Sequence, residues 1–116
     1  RGSARLIRQF AAMDWISGIT ISSPGFYAPQ MRSIRLAPDD QKLIQKLSAF
    51  TFNDLRINNF EMESSALYAL SAMLGHDALT LCVAIANRIT ASFLADYKPA
   101  LENLALMVLK KISQDA

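Results

Sequence analysis

Residues 57–75, INNFEMESSALYALSAMLG, decide the fold class. Residues 57–62 read as a short strand. It runs into a helix predicted over 64–74, in which Ala66, Leu67, Leu70 and Met73 recur at helical spacing on an inward face and Gly75 is the C-terminal stop. Downstream, ALTLCVAIA at 78–86 is continuously apolar, the pattern of a strand buried on both faces of a parallel sheet. Residues 87–97 read as loop, and 98–113 as a last amphipathic helix with Pro99 in its first turn and Lys110-Lys111 in its last. Upstream, 38–50 predicts a helix: Pro38, Asp39 and Asp40 suit its start, and Leu43, Ile44 and Leu47 share one face. Residues 24–38 carry three prolines without periodicity and read as a long binding loop. Before it come a strand over 15–21, broken by Gly18, and a helix over 4–14. Strands alternating with helices predict an α/β fold with a largely parallel sheet. Ligands then bind at the carboxyl ends of strands, which here are the 22–35 loop, 60–63 and 87–90.

Composition narrows the function. At 116 residues the chain is one domain at most. Its 52% hydrophobic content excludes a disordered chain and is high for this length, so some apolar surface is expected to meet another polypeptide. A formal net charge of +2 is far short of the basic stripe a nucleic-acid binder needs. No apolar run reaches the ~18 residues of a membrane span, and no signal-peptide core follows Arg1. A lone cysteine, Cys82, forms no internal disulfide, which suits a reducing cytoplasm; with a lone histidine, His76, it cannot build a structural zinc site.

Polar residues gather at the three strand ends. Glu61 and Glu63, at i and i+2, point the same way while the chain is extended, and a carboxylate can accept hydrogen bonds from two vicinal hydroxyls. Acids beside a helix start also simply answer its dipole, and on spacing alone that plainer reading prevails. Gln30 and Arg32 are a second i, i+2 pair; together they match the carbonyl, N–H, carbonyl edge of a pyrimidine-2,4-dione, or are ordinary solvated loop residues. Phe26 can stack on a flat ring or pack its own loop. Arg88, ending the apolar run, can support the Gln30/Arg32 loop, pair with a carboxylate or reach solvent. His76 reads as an exposed turn residue, Cys82 as inert packing inside a strand, and Met73 and Met107 as core fillers.

Three segments carry a resemblance. Gly18-Ile19-Thr20 leading to Phe26-Tyr27-Ala28-Pro29-Gln30-Met31-Arg32, then Asn59-Phe60-Glu61-Met62-Glu63-Ser64, and Val83-Ala84-Ile85-Ala86-Asn87-Arg88 resemble the C-terminal part of the nucleoside phosphorylase family, in its uridine branch. The resemblance implies a partial nucleoside phosphorylase fold, with a mostly parallel or mixed sheet flanked by helices, and makes residues 1–116 the C-terminal nucleoside-binding part of that domain. It implies phosphorolysis of uridine to uracil and ribose 1-phosphate, with phosphate as co-substrate and no cofactor or metal. Gln30 and Arg32 would bind uracil, with Phe26 packed on the base. Glu63 would hold the ribose 2′ and 3′ hydroxyls, helped by Met62, with Phe60 and Glu61 lining the pocket. Ile85 and Ala86 would form an apolar wall, and Arg88 would support the loop. The purine branch has an aspartate near position 87; Asn87 favours a pyrimidine. The family's phosphate site comes from a Gly-rich N-terminal loop and upstream arginines, partly from a neighbouring subunit, and has no counterpart in these residues. The expected partners are therefore the nucleoside, phosphate, and a missing N-terminal half or neighbouring subunit of a cytoplasmic homo-oligomer, with no nucleic acid or membrane. The alternatives are a non-catalytic nucleoside-binding fragment, and a related nucleoside phosphorylase or hydrolase acting on another base.

Overall fold

The computed structural model describes residues 1–11, 13–35 and 42–114. They fall into two compact units, Arg1–Leu79 and Thr80–Ala116. The first unit contains α1 (Ala4–Phe10), β1 (Ile19–Ser22), a 3-10 turn (Ala28–Gln30), α2 (Leu43–Ala49), β2 (Thr51–Phe52), β3 (Leu55–Glu61) and α3 (Ser64–Met73). Its sheet has the order β1-β3-β2, with β1 parallel and β2 antiparallel to the central β3. The fold class is therefore α/β with a mixed sheet, and α2 lies against β3. The predicted start of α2 at residue 38 lies outside the described residues.

Two local devices set the register of β3. Asn53 and Asp54 both have positive φ, 48° and 62°, which makes the β2–β3 link a two-residue hairpin turn. Asn and Asp tolerate the left-handed region better than other non-glycine residues, so the hairpin forms without glycine. β3 therefore starts at Leu55 rather than at the predicted residue 57. Further along, Ile19 pairs with Ile57 but Thr20 pairs with Asn59, which leaves Asn58 as an extra residue in β3. The Asn58 side-chain amide donates to the Ser17 carbonyl at 3.1 Å. Gly18 makes room for it: a Cβ there would collide with the Asn58 amide.

The helices begin and end for identifiable reasons. Ser3 caps α1, its hydroxyl oxygen accepting from the Leu6 N–H at 3.4 Å. The helix stops at Phe10, not at the predicted residue 14, where Phe10 turns inward and meets Trp15 edge-on at 6.3 Å. Among the described residues Phe10, 7% exposed, is the buried apolar side chain; the buried polar ones are Gln30 and Ser64. At the end of α3, Gly75 adopts φ 72° and the His76 N–H donates to the Ser71 carbonyl at 2.8 Å, so the glycine stop stands as predicted.

The predicted inward face of α3 is corrected. Ala66, Leu67, Leu70 and Met73 are exposed, Met73 by 82%, and the packed positions are Ser64, Tyr68 and Ser71. Apolar residues occur around this helix, so helical spacing alone did not single out the packed side. The second unit brings a larger correction: 78–86 is not a continuous buried strand. Only β4 (Ala86–Asn87) forms, paired antiparallel with β5 (Ser92–Phe93) inside the segment predicted as loop. A strand exists through a continuous ladder, and among the described residues 78–85 joins no sheet: its ends meet other backbone singly, the Ala78 carbonyl accepting the Ser3 N–H and the Ile85 carbonyl the Leu94 N–H, both at 2.8 Å. Cys82 is accordingly exposed rather than packed in a strand. The last helix, α4 (Lys98–Gln114), forms as predicted. Its half-buried stripe is Ala100, Leu104, Val108 and Lys111, while Met107 lies on the exposed side and is no core filler. Among the described residues no helix is long and apolar enough to cross a membrane.

Candidate functional site

Because β1 and β3 are parallel, their carboxyl ends open on the same edge of the sheet. Ser22 pairs with Glu61 at that edge, and the next N–H, of Ser23, donates to the Glu61 carbonyl at 2.8 Å. From there β1 enters the proline-containing loop and β3 bends into α3. A side-chain clasp joins the two exits: the Ser22 hydroxyl donates to the Ser65 hydroxyl at 3.0 Å and accepts the Ser65 N–H at 3.1 Å. Two of the three predicted ligand-binding segments, the 22–35 loop and 60–63, are thus side by side.

The loop after β1 is wound on itself. The Ser23 hydroxyl donates to the Pro29 carbonyl at 2.9 Å. Gly25, at φ 144°, admits the Pro29 ring, which a Cβ would approach to 2.7 Å. The N–H groups of Gln30 and Arg32 both donate to the Tyr27 carbonyl at 3.0 Å, with Met31 left-handed between them at φ 61°. This winding buries Gln30, 4% exposed, and turns Arg32 back over the loop. Its Nη1 donates to the Phe26 carbonyl at 2.6 Å and to Gln30 Oε1 at 3.4 Å. The guanidinium carbon sits 3.5 Å from the Phe26 ring centroid, a cation–π arrangement. Tyr27 meets the same ring edge-on at 5.3 Å. Gln30 and Arg32, the pair singled out by spacing, therefore come together, and Phe26 joins them by packing within its own loop.

At the end of β3 the two carboxylates part company. Glu61 folds onto the first turn of α3: Oε2 accepts the Glu63 and Ser64 N–H groups at 2.8 and 2.6 Å, and Oε1 accepts the Ser64 hydroxyl at 2.6 Å. Burial raises its proton affinity, but the Ser64 hydroxyl, the two amides and the Ser22 hydroxyl outweigh it and hold the carboxyl below the usual glutamate value. Glu63 remains exposed, its Oε2 accepting the Met62 N–H at 3.2 Å. The i, i+2 argument assumed extended chain, whereas β3 ends at Glu61 and residues 62–63 bend. The helix-start reading thus holds for Glu61, and Glu63 is left facing solvent. Phe60 is half-buried and Met62 exposed beside it.

Ile85, Ala86 and Arg88 lie in the second unit, on and beside β4; the first two are exposed and Arg88 is half-buried. Asn87 shapes the β4–β5 turn, its side-chain oxygen accepting the Ile89 and Thr90 N–H groups at 2.9 and 3.1 Å. His76 is exposed, as predicted. Among the described residues no group of three or more His, Cys, Asp and Glu could hold a metal ion. The sequence reading missed the serines. Ser22-Ser23 and Ser64-Ser65, two pairs at the predicted strand exits, carry the contacts that join them.

The chain is 35% identical over 79 residues to a uridine phosphorylase of Thermococcus kodakarensis, a stretch covering 66% of this chain and 27% of that protein. The chain thus spans about a quarter of the curated relative it matches. No family model and no solved structure matches it. What these comparisons establish is a partial similarity to a uridine phosphorylase.

Proposed function

We propose that this chain supplies the base and ribose subsites of a nucleoside phosphorylase that cleaves uridine to uracil and ribose 1-phosphate. The observation that carries the reading is the Ser23 N–H to Glu61 carbonyl bond, which sets the Gln30/Arg32 loop and the Glu63 carboxylate on one sheet edge. The partial similarity to a uridine phosphorylase supports the choice of pyrimidine nucleoside.

Phosphorolysis breaks the glycosidic bond through an oxocarbenium-like sugar, and the leaving base takes the electron pair. Arg32 is suited to receive that charge. One terminal nitrogen of its fork is engaged inside the loop, which fixes the guanidinium plane; in this reading other donors of the fork meet a uracil oxygen. The buried Gln30 amide reads the adjacent edge, and Phe26 packs against the base. These donors stabilise a developing uracil anion more than neutral uracil, which lowers the barrier. Glu63, helped by Met62, accepts hydrogen bonds from the ribose 2′ and 3′ hydroxyls, Phe60 lines that side, and the sugar is held for attack at C1′. Phosphate is the co-substrate and needs no cofactor. In this reading the phosphate is held by a neighbouring subunit of a cytoplasmic homo-oligomer or by another part of the family's fold.

Nucleoside titrations of the 116-residue chain test the reading. Uridine binding that is weakened by Arg32→Ala, with adenosine binding weaker than uridine, is the expected result. Absent uridine binding, or equal affinity for adenosine, overturns it.

A further inference from the structure

The carboxylate of Glu61 lies in the candidate pocket by sequence, yet its contacts are internal. Three donors converge on it, the Glu63 N–H, the Ser64 N–H and the Ser64 hydroxyl, all at 2.6 to 2.8 Å. Ser64, 4% exposed, is one of the two buried polar side chains among the described residues. The Glu61 main-chain carbonyl meanwhile accepts the Ser23 N–H from the other strand exit. One residue therefore grips β1 through its backbone and the start of α3 through its side chain. Between those two grips stand Met62 and Glu63.

We propose that Glu61 is a positioning residue for Glu63 rather than a ligand of ribose: it holds the bend at residues 62–63 that turns the Glu63 carboxylate to the sugar. The inference rests on the reading of Glu63 as the ribose-binding group. A carboxylate that accepts three short hydrogen bonds has little capacity left for two hydroxyls, and opening those bonds would strand the Glu63 and Ser64 amides. The Glu63 N–H, held by Glu61, fixes the backbone from which the Glu63 side chain departs. Loss of that hold leaves Glu63 in the chain but its carboxylate out of register with the ribose hydroxyls.

Titrations of the 116-residue chain with uridine, 2′-deoxyuridine and uracil separate the roles. Glu61→Ala is expected to weaken uridine roughly tenfold, 2′-deoxyuridine less, and uracil not at all. Ser64→Ala, which removes a partner of Glu61 and no proposed ligand contact, is expected to weaken uridine in the same selective way by roughly threefold. Glu61→Gln keeps an acceptor for the amides and is expected to restore most of the uridine affinity that Glu61→Ala loses; it also serves if the alanine variant does not fold. Unchanged or tighter uridine binding in Ser64→Ala overturns the positioning role while leaving Glu63 as the ribose group. So does a parallel loss of uridine and uracil in all three variants. A wild-type chain that binds uracil and uridine equally overturns the ribose reading and the inference with it.

Discussion

The guanidinium of Arg32 lies over the ring of Phe26, 3.5 Å from its centroid, and also donates to the carbonyl of that same residue at 2.6 Å. One face of Phe26 is therefore taken by an arginine, and the ring orients the guanidinium that the proposed function assigns to the base. Phe26→Leu should cost about 0.5–1 kcal/mol of uridine affinity through the lost cation–π contact. Arg32→Ala should cost roughly 1.5–3 kcal/mol, and Arg32→Lys should not restore it, because an ammonium cannot reproduce the planar fork. Calorimetric titration with uridine checks all three. Equal affinities for Arg32→Lys and wild type would remove the fork from base recognition.

Glu63 allows a sharper test with two proteins and two nucleosides. Glu63→Gln keeps the shape but replaces charge-assisted hydrogen bonds with neutral ones about half as strong. The loss should be about 1–2 kcal/mol for uridine and distinctly smaller for 2′-deoxyuridine, since the mutation and the missing hydroxyl remove parts of one interaction. Additive effects across the four titrations would take Glu63 out of the ribose site.

Acid should loosen the corner that Glu61 holds. Its native carboxyl is held below the ordinary glutamate value of ~4.3, so its contribution to stability is present above that value and lost as the pH falls through the lower native one. Asp77 adds in the same direction, held down by the Ser3 hydroxyl first and by Arg5, whose Nε lies 2.6 Å away. Asp77 is exposed and Glu61 only half-buried, so the Asp77 effect is the smaller of the two. Thermal unfolding should show a melting temperature that is flat near neutrality and declines in the acid range. Glu61→Gln should lower the neutral value and flatten the decline. Superimposable acid limbs would exclude a contribution from Glu61.

Much of this was legible in advance, and the failures have physical causes. The strand-to-helix passage at residues 57–75 could be read because a short strand, helical spacing and a glycine stop follow one another there, although that spacing did not mark the packed face. The Gln30/Arg32 pair was legible as a pair, though not as an assembly on Phe26, because a left-handed Met31 leaves no mark in a sequence. The run at 78–86 misled because continuous apolar character records a preference for burial, while strand formation also needs neighbours to bond. Spacing alone pointed Glu61 and Glu63 the same way, but the chain bends after residue 61, so Glu61 folds onto the start of α3 and Glu63 stays exposed.

Gly18 should be hard to replace. A methyl group there collides with the Asn58 side chain and lies 3.0 Å from the Arg56 carbonyl, so Asn58 must give up its bond to the Ser17 carbonyl and the backbone must yield slightly. Gly18→Ala should destabilise the first unit by roughly 1–3 kcal/mol, measurable by urea unfolding. Trimming the obstacle, as in Gly18→Ala with Asn58→Gly, should recover part of it. No recovery would place the strain elsewhere.

The exposed apolar side chains also have a measurable signature. Leu67, Leu70, Met73 and Leu74 on and beside α3 are all more than half exposed. Binding of the dye ANS should be strong, and Leu70→Lys should reduce it while shifting stability by no more than about 0.5 kcal/mol. A large loss of stability would show Leu70 to be packed.

The extra residue in β3 makes the spacing of this strand a kind of punctuation. From the Ile19–Ile57 pair to the Ser22–Glu61 pair, β1 advances three residues and β3 four. Because a one-residue slip reverses which side of a strand each group faces, the count between Ile57 and Glu61 bears on everything that follows Glu61. Point substitutions on the exposed helical surfaces can accumulate one by one across generations. A codon gained or lost within this short interval would re-phase the whole corner at once, and descendants of this sequence should carry few of them.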